Sequence, residues 1–150
     1  MITFALETFD AAYAEMYPLL EQHYREISTH VHHGVELKPQ VHAYQQRERE
    51  GQLALVVGRE NGKIVAYLYS FVGPGLHYAD CLTAIVDIYY VAPGRRGYMH
   101  GVKLFEFAKN VWKQRGVQRA AAGAKLAHDA SPLLKRVGFA PVEIMHELWF

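Results

Sequence analysis

The chain has little cysteine, little net charge and no long apolar run. A single cysteine, Cys81, stands among 150 residues, so no disulfide can form within the chain, and we expect a protein of the reducing cytoplasm. Lysine and arginine number 16 and aspartate and glutamate 15, giving a net charge of +1. This balance gives no electrostatic reason to expect a nucleic acid or an anionic membrane as a partner. No apolar stretch approaches the ~20 residues that a membrane-spanning helix needs.

Apolar residues are plentiful, and they predict a folded domain. The hydrophobic fraction is 51% and the charged fraction 21%, values that are typical of a globular protein rather than a disordered one. A chain of 150 residues has the length of one domain with a substantial buried core. We therefore predict a single domain over residues 1–150.

The spacing of apolar and turn-forming residues predicts strands that alternate with helices. The predicted strands are 2–6, 53–57, 64–72, a strand ending at 91, 117–124 and 142–150. The predicted helices are one following Thr8, one at 40–50, one at 101–112 and a short one from 131, and a loop is expected at 28–39. Pro18 should kink the first helix or divide it into two. The pair Asn61-Gly62 predicts a tight hairpin turn.

A basic, glycine-bearing loop between a strand and a helix is the most informative stretch of the chain. The apolar run from Ile85 to Val91 predicts a buried strand, which Pro93 and Gly94 end. From Gly101 onward, apolar side chains recur at helical spacing. A loop that opens a helix directs free backbone N–H groups and the positive end of the helix dipole at one spot. Such a spot suits a phosphate or a pyrophosphate.

The loop matches neither of two common phosphate-binding motifs. The P-loop lysine and hydroxyl residue are missing, and Gly97 and Gly101 are four positions apart, so no G-x-G-x-x-G is present. We expect the loop to bind a pyrophosphate through its backbone, with added charge from Arg95 or Arg96. The candidate cofactor-binding residues are Val91, Arg95, Arg96, Gly97, Tyr98, Met99, His100, Gly101 and Val102.

This loop resembles motif A of the GNAT (Gcn5-related N-acetyltransferase) superfamily. In that family a strand ends in V-x-P, and the sequence Q/R-x-x-G-x-G/A then wraps the pyrophosphate of acetyl-CoA. Here Val91-Ala92-Pro93 resembles the end of the strand. Arg96 takes the first place of the loop motif and Gly101 the last, while Met99 replaces the middle glycine.

A second segment also resembles the family. Residues 133–139, Leu-Leu-Lys-Arg-Val-Gly-Phe, look like the family's L-Y-E-K-L-G-F, with Leu134 in the place of the tyrosine. The chain is most similar to compact, phage-borne acetyltransferases that share D-x-x-Y-x-A-P, a basic loop and P-L-L-x-R-x-G-F. The resemblance thus spans nearly the whole chain.

The resemblance implies a fold, an activity and a co-substrate. The implied fold is an α/β (α+β) GNAT fold with a mixed, mostly antiparallel sheet of about six to seven strands, flanked by about four helices, in the order β-α-α-β-β-β-α-β-α-β. The implied activity is direct transfer of an acetyl group from acetyl-CoA, without a metal, to a primary amine of a small molecule or a protein. A monomer and a homodimer are both compatible with the sequence. The alternative is a GNAT-shaped protein that binds CoA or a partner without turnover, which Met99 and Leu134 favour.

Catalysis in this family needs a base for the amine and donors for the developing oxyanion. Asp87 is our candidate base, because a charge inside an apolar strand is costly unless it is paired or used. The alternative role of Asp87 is that of a structural anchor that accepts hydrogen bonds. Strand alternation places Asp87 on the same face as Tyr89 and Val91, unless a bulge changes the parity. Backbone N–H groups of Tyr90, Val91 or their neighbours are expected to hold the oxyanion.

The proton donor for the departing thiolate is less defined. Leu134 occupies the place of the family's tyrosine, so Tyr89, Tyr90, Tyr98 or water should serve, or the thiolate leaves unassisted. The ordinary pKa of a thiol is only ~8.5, so loss of the acid should slow the reaction without preventing it.

Histidine and tyrosine residues are the candidate acceptor contacts. His30 and His32 belong to a loop that overhangs the acceptor cleft in the resembled fold. For these two and for His33, the alternatives are a solvated loop or a metal site, but no cysteine is near and their spacing matches no zinc pattern. His77 and Tyr78 precede the central strand, as acceptor-site residues or as loop-packing residues.

Overall fold

Five strands and four α-helices make up the computed structural model, which describes residues 1–150. The strands are β1 (Thr3–Leu6), β2 (Leu53–Glu60), β3 (Lys63–Gly75), β4 (Tyr78–Val91) and β5 (Arg119–Ala121). The α-helices are α1 (Phe9–Ile27), α2 (Val41–Arg49), α3 (His100–Gln114) and α4 (Ser131–Arg136). Two short 3-10 helices lie at Thr29–His33 and Pro93–Arg95. This order confirms the predicted mixed architecture of one sheet flanked by helices.

The strands form one sheet in the order β1-β2-β3-β4-β5. The first four pair antiparallel and β5 lies parallel to β4, so the sheet is mixed and mostly antiparallel, as predicted. Between β2 and β3, Asn61 and Gly62 have φ angles of 50° and 79°. Two left-handed residues are what a type I′ hairpin turn requires, so the predicted hairpin is confirmed.

A bulge interrupts β4 at Asp87. On the neighbouring strand β3, Tyr69 pairs with Ile88 and Ser70 pairs with Val86, so Asp87 has no residue opposite it. An extra residue of this kind reverses the alternation of side chains for the rest of the strand.

The bulge decides which side chains of β4 share a face. Val86 before the bulge and Tyr89 after it both pack in the cluster under α3. Asp87 accepts a hydrogen bond from Tyr44 of α2 and therefore lies on the opposite face. The expectation that Asp87 shares a face with Tyr89 and Val91 is wrong, because the bulge changes the parity between them.

Two hydrophobic clusters cover the two faces of the sheet. The cluster under α3 is mostly aliphatic, whereas the cluster under α1 includes the buried tyrosines Tyr67, Tyr69 and Tyr90. The helix residues that are buried against these faces are Leu104, Phe105, Ala108, Val111 and Trp112 of α3 and Phe9, Ala12, Met16 and Leu20 of α1.

Helix α1 runs unbroken from Phe9 to Ile27. Its N-cap is Thr8, whose hydroxyl oxygen accepts from the N–H of Ala11 at 3.3 Å. Pro18 lies inside the helix, so of the two predicted alternatives, a kink or a division into two helices, the division is excluded. The buried residues Met16 and Leu20 stand on either side of the proline, and their packing on the sheet holds the helix together. None of the four helices combines the length and the hydropathy that crossing a bilayer requires.

The expected strand at 142–150 is absent, so the sheet has five strands instead of six to seven. Strand β5 pairs with β4 over three residues only, and its outer edge therefore offers a further strand a very short ladder. The C-terminal segment instead contacts the 3-10 helix that follows α1. Thr29 donates a hydrogen bond to Glu147, and the ring of Trp149 stacks on His33 with 4.0 Å between centroids.

Candidate active site

Six successive backbone N–H groups at the start of α3 have no acceptor in the protein. They belong to residues 97–102, and the next N–H group, that of Lys103, donates to the carbonyl of Met99 at 2.9 Å. Left-handed φ angles of 88° at Gly97 and 64° at Met99 shape this turn. Consecutive N–H groups at a helix N-terminus form a concave site for anions. The loop can therefore bind a phosphate or a pyrophosphate.

Met99 and Gly101, which the sequence resemblance places at two glycine positions, differ in backbone conformation and packing. Met99 has φ 64° and ψ 7°, the left-handed conformation that glycine adopts freely, and its side chain is 42% exposed. A side chain in this conformation carries a strain of about 1–2 kcal/mol. Gly101 lies in the first turn of α3, where an added Cβ would be 3.1 Å from Leu133 of α4. Gly101 thus allows α3 and α4 to pack closely.

The second half of β4 has a free edge beside this loop. Ala92 donates its N–H to the carbonyl of Val65 at 2.9 Å. Because polar groups alternate along an antiparallel ladder, the N–H and C=O of Tyr90 face β3, and those of Tyr89 and Val91 face away. Strand β5 covers only the first half of β4. Of the expected oxyanion donors, the N–H of Val91 is directed away from β3, into the gap between β4 and the segment after β5, whereas the N–H of Tyr90 bonds within the sheet.

Both arginines of the loop are held by carboxylates. Arg95 pairs with Glu60 of β2 at 2.5 Å, and Arg96 contacts Glu26 of α1 through Nη1 at 2.6 Å and Nη2 at 3.0 Å. The Nε of Arg96 also donates to the carbonyl of Val91 at 2.9 Å. Hydrogen bonding from Arg96 holds the pKa of Glu26 below its ordinary value. The arginines thus tie the loop to three parts of the fold.

The other side chains of the loop differ in exposure. The ring N–H of His100 donates to the carbonyl of Arg95 at 2.8 Å and so closes the turn before α3. Val102 is half-buried and packs on the cluster under α3, while Tyr98 is 72% exposed. The contribution of His100 to the loop is therefore a fixed backbone path.

A polar network on the α1 face was not predicted from the sequence. The hydroxyl of Tyr90 donates to Glu26, and the ring of Tyr90 stacks on His23 with 4.5 Å between centroids. The Nδ1 of His23 lies 2.7 Å from the hydroxyl oxygen of Tyr67. Burial lowers the pKa of His23 to about 4, so its imidazole is neutral at pH 7. A signal was present, because His23 stands three residues after the buried Leu20 and so lies on the apolar stripe of α1.

Asp87 is an exposed carboxylate at the bulge. Its Oδ2 accepts a hydrogen bond from the hydroxyl of Tyr44 at 2.9 Å. Burial, followed by the charge of Asp87, raises the pKa of Tyr44, so this hydroxyl stays protonated and donates. A carboxylate has two oxygens, and the second remains free to accept from an ammonium group.

The hydroxyls of Tyr89 and Tyr90 lie on opposite faces of the sheet. Burial raises the pKa of each to about 12, so both are protonated at neutral pH. Tyr89 donates to the carbonyl of Gly123 at 2.7 Å, across the gap between β4 and the segment after β5, whereas Tyr90 is engaged by Glu26. Leu134, which takes the place of the family's tyrosine, is buried in the cluster under α3.

A cavity of about 270 Å³ lies between α1, α2, the segment 28–39 and the sheet. Its apolar wall consists of Phe9, Tyr13, Leu20, Tyr24, Val35, Leu37, Pro39, Tyr44, Tyr69 and Ile88. Its other lining residues are Ser28, His30, Glu36 and Lys38. Ile88 follows Asp87 directly, and Tyr44 binds Asp87, so the cavity lies next to the candidate base.

One of the four predicted acceptor residues lines this cavity. His30 does so, and its ring also makes an edge contact with Trp149, whereas His32 is not part of the lining. His77 lies in the turn before β4, and Tyr78 is the first residue of this 14-residue strand, about 40 Å from its end beside the loop. The structure does not bring them to the cavity, because β4 is longer than the sequence predicted. No group of three or more His, Cys, Asp or Glu side chains is placed to hold a metal ion.

Solved acetyltransferase structures have the same fold as this chain. An aminoglycoside acetyltransferase from an uncultured soil metagenomic sample, in complex with sisomicin, matches with a TM-score of 0.79 at 14% identity, covering 99% of this chain and 95% of that one. Glucosamine-6-phosphate N-acetyltransferase from Arabidopsis thaliana matches with a TM-score of 0.74 at 15% identity, covering 100% and 99%. A predicted acetyltransferase with acetyl-CoA from Clostridium acetobutylicum matches with a TM-score of 0.71 at 15% identity, covering 99% and 96%.

These matches are structural rather than sequence matches. No protein-family model matches the chain, and no curated protein matches it in sequence. The similarity therefore shows the fold, which is the predicted GNAT fold with one strand fewer than the lower limit expected.

Proposed function

We propose that the protein transfers the acetyl group of acetyl-CoA to a small primary amine. The row of N–H groups at 97–102, beside the free edge of β4, carries this proposal, because it suits the pyrophosphate of CoA. The fold is shared with proteins described as acetyltransferases, one of them with acetyl-CoA. Two of these proteins are an aminoglycoside acetyltransferase and a glucosamine-6-phosphate N-acetyltransferase, and since aminoglycosides and glucosamine-6-phosphate are small amines, the shared fold supports a small-molecule acceptor.

The residues of the chain fit acetyl-CoA around the loop. The N–H groups of 97–102 would hold the pyrophosphate. Lys103 is exposed in the first turn of α3, makes no ion pair and would add a positive charge there. Arg95 and Arg96 would position the loop through their carboxylate partners. Bound acetyl-CoA supplies an acetyl group that is activated as a thioester.

Asp87 and Tyr89 lie on opposite faces of β4, which suits them to the two proton transfers of the reaction. The carboxylate of Asp87 would take a proton from the acceptor ammonium. The amine nitrogen then bonds to the acetyl carbon while the carbon–sulfur bond breaks, and the sulfur takes a proton. Tyr89 would donate that proton by exchanging its hydrogen bond to the carbonyl of Gly123 for one to the sulfur, because its hydroxyl lies at the gap between β4 and the segment after β5, whereas the hydroxyl of Tyr90 lies on the other face and donates to the carboxylate of Glu26. The N–H of Val91 would hold the negative charge that develops on the carbonyl oxygen.

The test is thiol release from acetyl-CoA in the presence of primary amines, measured for the wild type and for Asp87→Asn. The amide keeps an oxygen for Tyr44 but cannot take a proton, so the rate should fall by roughly 10²-fold or more. CoA affinity and Tm should not change, and a higher pH should restore part of the rate by deprotonating the amine directly. The matched control is Tyr44→Phe, which removes the donor to Asp87 and keeps the base.

Two results would contradict this role of Asp87. A loss of ~1–3 kcal/mol in the free energy of unfolding, with activity lost only in proportion to unfolding, would make Asp87 a structural anchor. Full activity of a stable Asp87→Asn protein at neutral pH would remove Asp87 from the mechanism altogether.

A second candidate function is CoA binding without turnover. It is favoured by the burial of Leu134 in the core, where the family's tyrosine would stand. Calorimetry that detects CoA binding, together with no thiol release for any amine tested, would select this function over the first.

A further inference from the structure

Three aromatic rings of the cavity wall stack in a row that continues to Phe71 outside the cavity. Tyr13, Phe9, Tyr44 and Phe71 follow one another with centroid distances of 4.8, 5.1 and 5.8 Å. The guanidinium of Arg47 lies 4.5 Å from the centre of the last ring. Because Phe9 and Tyr44 have a ring on each side, their faces are not free to hold a cation. The wall offers an apolar surface instead.

The charged groups around the cavity are few, and carboxylates outnumber cations among them. Glu36 and Lys38 line it together, and they carry opposite charges. Asp87 directly precedes the lining residue Ile88 and accepts a hydrogen bond from the lining residue Tyr44. A third carboxylate, Glu48, already accepts a hydrogen bond from the backbone N–H of Phe9. A ligand with several positive charges would therefore meet the cation of Lys38 and find two carboxylates, whereas a single ammonium group has a partner in Asp87.

The cavity is small and its outer wall is fixed. Its volume of about 270 Å³ lies just below the usual range for small-molecule sites, so it suits one ring or a short branched chain rather than an oligosaccharide. The hydroxyl of Tyr24 on α1 donates to the carbonyl of Val35 and so holds the segment 28–39 in place. The lining residue Ile88 stands three residues before Val91, about 10 Å along the strand from the proposed oxyanion donor.

We infer that the acceptor is a small primary amine with one positive charge and an apolar body, either aromatic or branched aliphatic. The body occupies the cavity between α1, α2 and segment 28–39, and the amine group lies at Asp87. This inference rests on the proposed acetyl transfer. It separates the chain from the structural neighbours whose acceptors are sugars with several polar or charged groups.

Binding of amines to the protein, measured by calorimetry without acetyl-CoA, tests the inference. The probes are 2-phenylethylamine, sisomicin and glucosamine-6-phosphate. We expect binding of 2-phenylethylamine and none of the other two. The variant Leu37→Gln puts a polar group of similar size on the apolar wall and should weaken that binding by about tenfold.

The matched control is the same substitution at Leu76, which is fully exposed in the β3–β4 turn and should leave binding unchanged. Because Leu37 is half-buried, Val35→Gln, at a wall residue that is 42% exposed, provides a second variant with less risk to folding. Binding of sisomicin or glucosamine-6-phosphate in preference to 2-phenylethylamine would overturn the inference. It would also be overturned if the two wall variants bound 2-phenylethylamine with the same affinity as the control variant. If calorimetry shows that the wild-type protein binds 2-phenylethylamine but does not bind CoA, the result would instead contradict the proposed transfer.

Discussion

The two faces of the sheet are covered by different kinds of side chain. Under α3 the core is mostly aliphatic, with one buried polar pair in which Trp112 donates to Ser70 at 2.9 Å. Under α1 the core contains tyrosines, and the hydroxyls of Tyr67 and Tyr90 are paired with titratable side chains of α1. The α3 face therefore supplies packing, and the α1 face supplies directed polar groups.

The candidate sites follow the same division. The anion site at the start of α3 consists of backbone N–H groups, so its geometry depends on the backbone rather than on which side chains the loop carries. The cavity under α1 consists of side chains, so each substitution there changes what it can hold. We infer that the candidate anion site tolerates sequence change and that the cavity would set the specificity of the proposed transfer.

The largest expected effect comes from truncating one buried phenylalanine on each face. Phe105→Ala under α3 and Phe9→Ala under α1 should each lower the free energy of unfolding by about 3–5 kcal/mol, because both rings are fully buried. Urea titration measures this loss. Among molecules that remain folded, only Phe9→Ala should weaken binding of 2-phenylethylamine, since Phe9 lines the cavity. If Phe105→Ala weakened the binding of 2-phenylethylamine as much as Phe9→Ala does, the proposed difference between the two faces would be contradicted.

A pH-dependent effect should arise from His23. Burial lowers its pKa to about 4 from an ordinary value of 6.5, so between these values the unfolded chain binds a proton that the folded chain does not. Stability is therefore complete above pH 6.5 and is lost as the pH falls towards 4, by about 3 kcal/mol in total. Unfolding titrations at several pH values should show this slope in the wild type and a flatter one in His23→Gln.

The exposed His32 provides the matched control for this slope. His32→Gln should keep the wild-type dependence, because His32 makes no buried contact. Glu26, whose pKa is lowered by Arg96, adds a further loss only below its ordinary value of 4.5. An unchanged slope in His23→Gln would mean that His23 is not the group that titrates in this window.

The smallest effect is expected in the loop. Met99→Gly removes the side chain from a left-handed residue and should raise the free energy of unfolding by up to ~1 kcal/mol, with CoA affinity unchanged or slightly higher. Gly97→Ala is the matched control and should lower stability, because Gly97 has a φ of 88°. Calorimetry measures the affinity of the wild type and the two variants for CoA. A large loss of affinity in Met99→Gly would show that the side chain contacts the co-substrate.

Sequence reasoning was most successful where neighbouring residues in the chain determine the backbone conformation. The Asn61-Gly62 hairpin follows from the two left-handed residues that such a turn needs. The strand, loop and helix around Pro93 follow from an apolar run, a proline and helical spacing. The similarity to phage-borne acetyltransferases and the cytoplasmic location stay predictions.

Tertiary contacts decided the rest, because pairing partners distant in sequence are not encoded by local spacing. The bulge at Asp87 sets which face its carboxylate occupies, and it depends on the register with β3. The pairing of Arg96 with Glu26 joins residues 70 positions apart and removes the free charge that the loop sequence suggests. The segment 142–150 has the composition of a strand, yet a strand forms only where a neighbouring edge accepts its hydrogen bonds, and the three-residue β5 pairs with β4 alone.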